Sequence, residues 1–342
     1  MQPIEMTPTE TRPTVTGPTV TGPPVGSPAP AGAVVVGLDV GGTKILGLSI
    51  AADGPPRPVR QQSRPTPRSA DALIEELAAV AELVADGAAI ARVGVGVPGF
   101  IDMDGIPRQA PNLPGVVGVD VGALLRERLR CEVVVDNDAN CAAWAAARTD
   151  ATAARDVVAV TLGTGIGGGL VVDGKLVRGA HGFAGEPGHM IVDPGGPACA
   201  CGQRGCWEVW ASGTGLGRLA AVAAERGDIP LLVARFDGAP DGPEVTAAAR
   251  SDDDAMRREA AGVLEAFAGW VAVGIVNLVN LLDPELVLIS GGIVAEGDLI
   301  LDRVRAAVSA VPTMVGGRTP RIEMSAVGPA AGALGAALLA AR

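Results

Sequence analysis

The sequence predicts two α/β domains facing one another across a cleft, and three observations carry that expectation. A strand, a glycine-rich turn and a second strand occupy residues 34–50, and the same pattern restarts at Asp156, a weak internal repeat of one supersecondary unit. Apolar runs of strand length alternate along the chain with helical patterns of period three to four, the mark of α/β layering. A length of 342 residues favours two domains over one. The domains are expected at 33–155 and 156–342, with the last helix free to pack back on the first.

Taken in order, residues 1–32 carry Pro every few positions and no hydrophobic periodicity, so this tail is expected to be disordered. Neither a secretory signal nor a helix-turn-helix fits it. Residues 34–40 (VVVGLDV) read as a buried strand, GGTK as a turn and 45–50 as a second strand. Ser69 caps a helix over 69–85, in which apolar residues recur every three or four positions. A strand follows at 93–99, then a loop through Asn112, a helix over 121–130, and a buried strand, CEVVVDND, leading into the helix ANCAAWAAAR. The second half reads as strand 157–162, turn 163–169 and strand 170–177. Helices are expected at 212–226, 245–249 and 254–282, a strand at 286–290 and a closing helix at 332–342. The most apolar run, 263–282, contains Glu265, Asn277 and Asn280 and ends in Asp283-Pro284, which fits a core helix better than a membrane span.

Composition narrows the function classes. With 48% hydrophobic and 19% charged residues the chain reads as globular, and a net charge of −11 repels phosphodiester backbones, so no nucleic-acid partner is expected. No membrane partner is expected either. Between positions 189 and 206 lie His189, Cys199, Cys201 and Cys206, in a chain with only two His. Thiolates and imidazole are the ligands that Zn²⁺ prefers, and four of them make a closed tetrahedral site. Such a site is structural, a clamp for a binding surface. Cys131 and Cys141 remain as separate thiols, which fits a reducing cytoplasm better than a disulfide scaffold. The Ala-rich surroundings of Cys141 mark a small buried hydrophobe.

Two glycine-rich turns follow strands. Asp39, Gly41, Gly42, Thr43 and Lys44 place an acid, two glycines and a cation at one strand end, where backbone N–H groups can approach phosphate oxygens and Asp39 can hold Mg²⁺ through water. Residues 163–169 contain a formal G-x-G-x-x-G, but a strand follows instead of the helix that a dinucleotide fold requires. With Gly291-Gly292 after a third strand, these turns point to one nucleotide held between two domains. Asp136-Asn137-Asp138 lies between a buried strand and a helix, and either aspartate suits a general base or a helix cap. Asn112, Asn137, Glu186 and Glu208 have the chemistry to hold a polyol.

In sum, LDVGGTK, APNLPG, VDNDAN, TLGTGIGGG, GEPGHM, CACGQRGCWEVWASG and LISGGI, in this order from Ala33 onward, resemble the ROK family of repressors and sugar kinases. The resemblance implies the actin-like ATPase (ribonuclease H-like) fold, and it is greatest to the ATP-dependent glucokinases of the family. It implies Asp138 as general base, and Gly99, Asn112, Asn137, Glu186, His189 and Glu208 at the sugar. It further implies Gly41 to Lys44 and Gly163, Thr164 and Gly165 at the phosphates, Gly291 and Gly292 near the nucleoside, Asp39 orienting Mg²⁺, and a homodimer or homotetramer. Family kinases for N-acetylglucosamine, N-acetylmannosamine or fructose share these motifs, so the acceptor stays open, as do a cyclitol acceptor, a polyphosphate donor and a sugar-sensing regulator.

Overall fold

In the computed structural model, residues 32–55, 57–149, 154–293, 297–311 and 319–342 are described; the expected disordered tail, apart from Gly32, lies outside them. Two five-stranded sheets share one topology. The first comprises β1 (Val34–Val40), β2 (Lys44–Ala51), β3 (Pro58–Pro65), β4 (Ile90–Val97) and β7 (Glu132–Asn137), in the order β3-β2-β1-β4-β7. The second comprises β8 (Val157–Leu162), β9 (Ile166–Val172), β10 (Lys175–Leu176), β11 (Leu286–Ser290) and β12 (Arg321–Met324), in the order β10-β9-β8-β11-β12. Each sheet has an antiparallel hairpin on one side and parallel strands on the other. The repeat seen in the sequence is thus a repeat of whole sheets.

The first sheet shows how alternation places the helices. Along β1, Val34, Val36, Leu38 and Val40 join the core formed with helix α1 (Ala70–Ala85), whereas Val35 faces helix α10 (Ala331–Ala340). Along β4 the run VGVGV puts Val93, Val95 and Val97 on the α1 face and Gly94 and Gly96 on the other. The glycine face admits helices at backbone distance. A methyl group at Gly37 would overlap the Ala333 carbonyl, and one at Gly94 the Ala336 carbonyl. A methyl at Gly335 of α10 would overlap the carbonyl of Cys141 in helix α3 (Asp138–Thr149). Helices α3 and α10 fill the space between the sheets: Cys141 and Trp144 pack with Val157, Val171, Leu286 and Leu288, while Ala145 and Ala333 pack with Leu46, Leu48 and Ile50. Cys141 is fully buried there, as its surroundings predict.

The second sheet carries helix α8 (Asp254–Leu282), whose Val263, Phe267, Val271 and Ile275 pack with Val158, Val160, Val287 and Ile289. Among the described residues α8 alone is long and apolar enough to cross a membrane, and 61% of its most apolar window is buried in this core.

Three expectations need correction. Residues 163–169 are not all turn: only Gly163–Gly165 turns, and Ile166–Gly169 pair with β8, because the glycines let neighbours crowd both faces. Residues 170–177 are not one strand, since Asp173 (φ 51°) and Gly174 (φ 71°) form a tight left-handed turn between β9 and β10. The sequence pattern does not announce β3, the short hairpin of β5 (Phe100–Ile101) and β6 (Pro107–Gln109), α4 (Glu208–Ala211), α6 (Pro230–Phe236), α9 (Asp298–Ala310) or β12. The cause is clearest for β3, an exposed edge strand with no apolar alternation to reveal it. Among the described residues, the expected helices α2 (Val121–Leu129), α5 (Gly213–Arg226) and α7 (Gly242–Ala248) are present.

Candidate functional site

The site is centred where β7 runs into α3. Asp136 and Asp138 lie two residues apart, and their surroundings separate them. Oδ2 of Asp136 accepts Nε of Arg178 at 2.7 Å and forms an ion pair with its Nη2, also at 2.7 Å, and its Oδ1 accepts the Asn137 amide at 2.8 Å and Asn140 Nδ2 at 3.1 Å. Asp136 is therefore committed to holding the chain. Asp138 uses Oδ1 to accept the Ala139 amide at 2.9 Å and Asn137 Nδ2 at 3.1 Å, its own amide also bonds the carboxylate, and no other described residue donates to Oδ2. Burial raises the Asp138 pKa above the ordinary carboxylate value, and those hydrogen bonds oppose the shift.

Asn137 also donates to the Gly99 carbonyl at 3.0 Å. Gly99 sits at φ 109°, and a side chain there would overlap the Gln109 carbonyl, so Gly99 holds Asn137 in place through its backbone. Gly96 packs on the Asp138 backbone, which is why the glycine face of β4 brings α3 and its first residue inward.

Asp39 lies on the same inward face, against Gly332 at the start of α10. Burial, then the charge of Asp138, pushes its pKa up to about 7, with Lys44 pulling the other way. The folded value exceeds the unfolded 3.8, so the folded chain binds the extra proton more tightly. This contribution to stability is complete below pH 3.8 and is lost as pH rises through about 7. Asp39→Asn is accordingly expected to stabilise the fold at pH 8, without Mg²⁺ or nucleotide, by roughly 4 kcal/mol at most, seen as a higher thermal midpoint. The gain should fade towards pH 4; a midpoint difference that does not change with pH would contradict the strained carboxylate.

The turn at Gly41 is closed by its amide on the Lys44 carbonyl at 2.9 Å and by the Thr66 hydroxyl on the Gly41 carbonyl at 2.7 Å. Gly42 and Thr43 are exposed beside it, and Asn112, also exposed, lies next to Gly42. The second turn is braced by α5: the Gly213 amide donates to the Gly163 carbonyl at 2.7 Å, and the Thr214 hydroxyl to the Thr164 carbonyl at 2.9 Å. Gly291 (φ 104°) lies against the Leu162 backbone, so the third turn joins the second.

His189, Cys199, Cys201 and Cys206 come together with all ligand atoms within 4.8 Å of one another. The Cys201 and Cys206 sulfurs are 3.6 Å apart, and Cys199 Sγ is 3.8 Å from His189 Nδ1. A tetrahedral Zn²⁺ site with bonds near 2.3 Å has edges of about 3.8 Å, so the donor set fits that ion in both chemistry and spacing. Gly205 packs on the Asp193 carbonyl with positive φ, closing the loop around the sulfurs. Trp207 anchors it to the core: its indole covers Gly274 of α8 and donates to the Trp270 carbonyl at 2.8 Å.

Glu208 spans from this cluster to the second turn. Its Oε1 lies 3.0 Å from Cys199 Sγ and 3.7 Å from His189 Nδ1, and its Oε2 accepts the Ile166 amide at 3.4 Å, beside Gly165. Glu186 begins the turn that carries His189; burial raises its pKa, His189 lowers it, and Asp138 and Glu208 raise it further. The acids anticipated at Asp39, Asp138, Glu186 and Glu208 are thus within electrostatic reach of one another in sequence. Reasoning from sequence missed Arg178, Asn140 and Gly274. Only Asn140 left a signal, a polar residue on the inward face of an Ala-rich helix.

The ROK family model matches residues 35–342, and the chain belongs to the ROK family. It is 35% identical over 323 residues to a glucokinase from Streptomyces coelicolor, covering 90% of this chain and 97% of that one. It is 34% identical to an N-acetyl-D-glucosamine kinase from Shigella boydii, covering 89% and 98%. Among solved structures it is similar to a ROK family glucokinase from Streptomyces griseus in complex with glucose and AMPPNP, with a TM-score of 0.73, 33% identity, and coverage of 90% and 99%. Together with the paired sheet topology, these similarities show the actin-like ATPase fold.

Proposed function

We propose that the chain is an ATP-dependent sugar kinase that transfers the γ-phosphoryl group of MgATP to the 6-hydroxyl of glucose, giving glucose 6-phosphate and ADP. The observation that carries this reading is the Asp138 carboxylate, held through Oδ1 while Oδ2 is left to accept a proton, among the acids Asp39, Glu186 and Glu208. Asp138 accepts the hydroxyl proton as that oxygen attacks phosphorus. Asn112, Asn137, Glu186, His189 and Glu208 orient the sugar, with Gly99 supporting Asn137. His189 turns Nδ1 to the cysteines, leaving Nε2 for the sugar. Gly41 to Lys44 and Gly163 to Gly165 hold phosphates, and Gly291-Gly292 borders the nucleoside. When bound, Mg²⁺ near Asp39 would offset phosphate charge, and Zn²⁺ would brace the sugar site. The two sheets belong to domains 33–155 and 156–342, and the chain works as a cytoplasmic homodimer or homotetramer.

The kinship to glucokinases supports glucose, while the similarity to an N-acetyl-D-glucosamine kinase keeps an N-acylhexosamine as the second reading. ADP release from MgATP against glucose, fructose, mannose, N-acetylglucosamine, N-acetylmannosamine and a cyclitol tests this. Glucose is expected to give the highest kcat/KM; preference for another acceptor would move the specificity, and glucose binding without turnover would favour a sensor.

The metal is tested separately. Cys201 is exposed, so Cys201→Ala removes a ligand without opening a core cavity. Metal analysis should show zinc lost from this variant, with a lower thermal midpoint, because a structural metal contributes folding free energy. Undiminished zinc content would overturn the ligand set.

A further inference from the structure

We propose that Arg178 is a positioning residue for Asp138, acting through Asp136 from the opposite half of the chain. Arg178 directly follows the strand pair of the second sheet, whereas Asp136 belongs to β7 of the first. The guanidinium donates Nε–H to Asp136 Oδ2 at 2.7 Å, with Nη2 at 2.7 Å completing the ion pair, and Asp136 is only 5% exposed. A carboxylate this buried, two residues from Asp138, is tolerated only when paired.

The other oxygen of Asp136 passes the constraint on. It holds the Asn137 amide at 2.8 Å and Asn140 Nδ2 at 3.1 Å. Asn137 Oδ1 then accepts the Asn140 amide at 2.9 Å, and Asn137 Nδ2 donates to Asp138 Oδ1 at 3.1 Å. This chain of bonds fixes which oxygen of Asp138 is engaged and which is free. The pair therefore has a specific task beyond joining the halves: the side chain of the base is oriented only while Arg178 holds Asp136.

The inference rests on the reading of Asp138 as the base, and the test separates the two. Initial rates with glucose and MgATP are measured for Arg178→Gln, Arg178→Lys, the double variant Arg178→Gln/Asp136→Asn, and Asp138→Asn. Misplacing a reacting group by about 1 Å costs about 100-fold, so Arg178→Gln should lose kcat by about that factor with both KM values nearly unchanged. Arg178→Lys, which keeps the charge, should recover most of the loss. The double variant leaves no buried unpaired charge, so it remains readable if Arg178→Gln does not fold; it too should lose at least about tenfold in kcat at unchanged KM. Parental kcat in the double variant, or loss shared between kcat and KM with no rescue by Lys, would overturn the positioning role. Retained turnover in Asp138→Asn would instead remove the base itself.

Discussion

Asp138→Asn is expected to lower the turnover number for glucose by about 10²–10⁴-fold, the usual worth of a general base, while leaving glucose affinity within a few-fold. The amide keeps the acceptor that bonds the Ala139 amide and Asn137 Nδ2, so the start of α3 should stay in place. What it loses is the basic lone pair on Oδ2, to which no other described residue donates. In the parent enzyme the same group sets an acid limb. With Asp138 as the proposed base, turnover would require the carboxylate; because burial raises its pKa, activity should fall with decreasing pH above the range of an ordinary aspartate. Glucose titrated against both proteins gives the binding half of the test. Comparable turnover in the variant would displace Asp138 from the chemistry, whatever the family resemblance.

Gly94→Ala is expected to destabilise the fold by about 3 kcal/mol or more, lowering the thermal midpoint by roughly 5 °C. The added Cβ would sit well under 3.0 Å from the backbone of Ala336, and a backbone carbonyl cannot swing aside as a side-chain tip can. Nor can α10 retreat as a body, because Gly37 holds it on β1 and Gly335 holds it on α3 in the same manner. Activity should suffer along with stability, since α10 begins beside Asp39 and α3 begins at Asp138. Gly262→Ala makes the control: that glycine lies in α8 with open space around it, and alanine there should stabilise by about 0.5–1 kcal/mol. Equal midpoints for Gly94→Ala and the parent would show that α10 does not seat on β4.

Much of this was legible in the sequence because it is local. The hydrophobic period marked β1, α1, β8, α8 and β11; Ser69 marked a helix start, and its hydroxyl does accept the Ala72 amide. Three cysteines and a histidine between positions 189 and 206 are close in the chain, so little folding is needed to gather them. Other features depend on partners far away in sequence. The chemistry of DNDAN alone does not separate Asp136 from Asp138, and only the family resemblance points to Asp138; what separates them physically is Arg178, which lies 42 positions further on. The alternation VGVGV announced a strand but not its purpose, since the helix that needs the bare glycine face comes more than two hundred residues later. The sequence by itself determined the family, the repeated α/β pattern and the cluster of three Cys and a His that could hold a metal, all written in short-range spacing. Tertiary structure alone decided which aspartate is paired and which is free, because the field at a buried carboxylate is set by groups that only folding brings beside it.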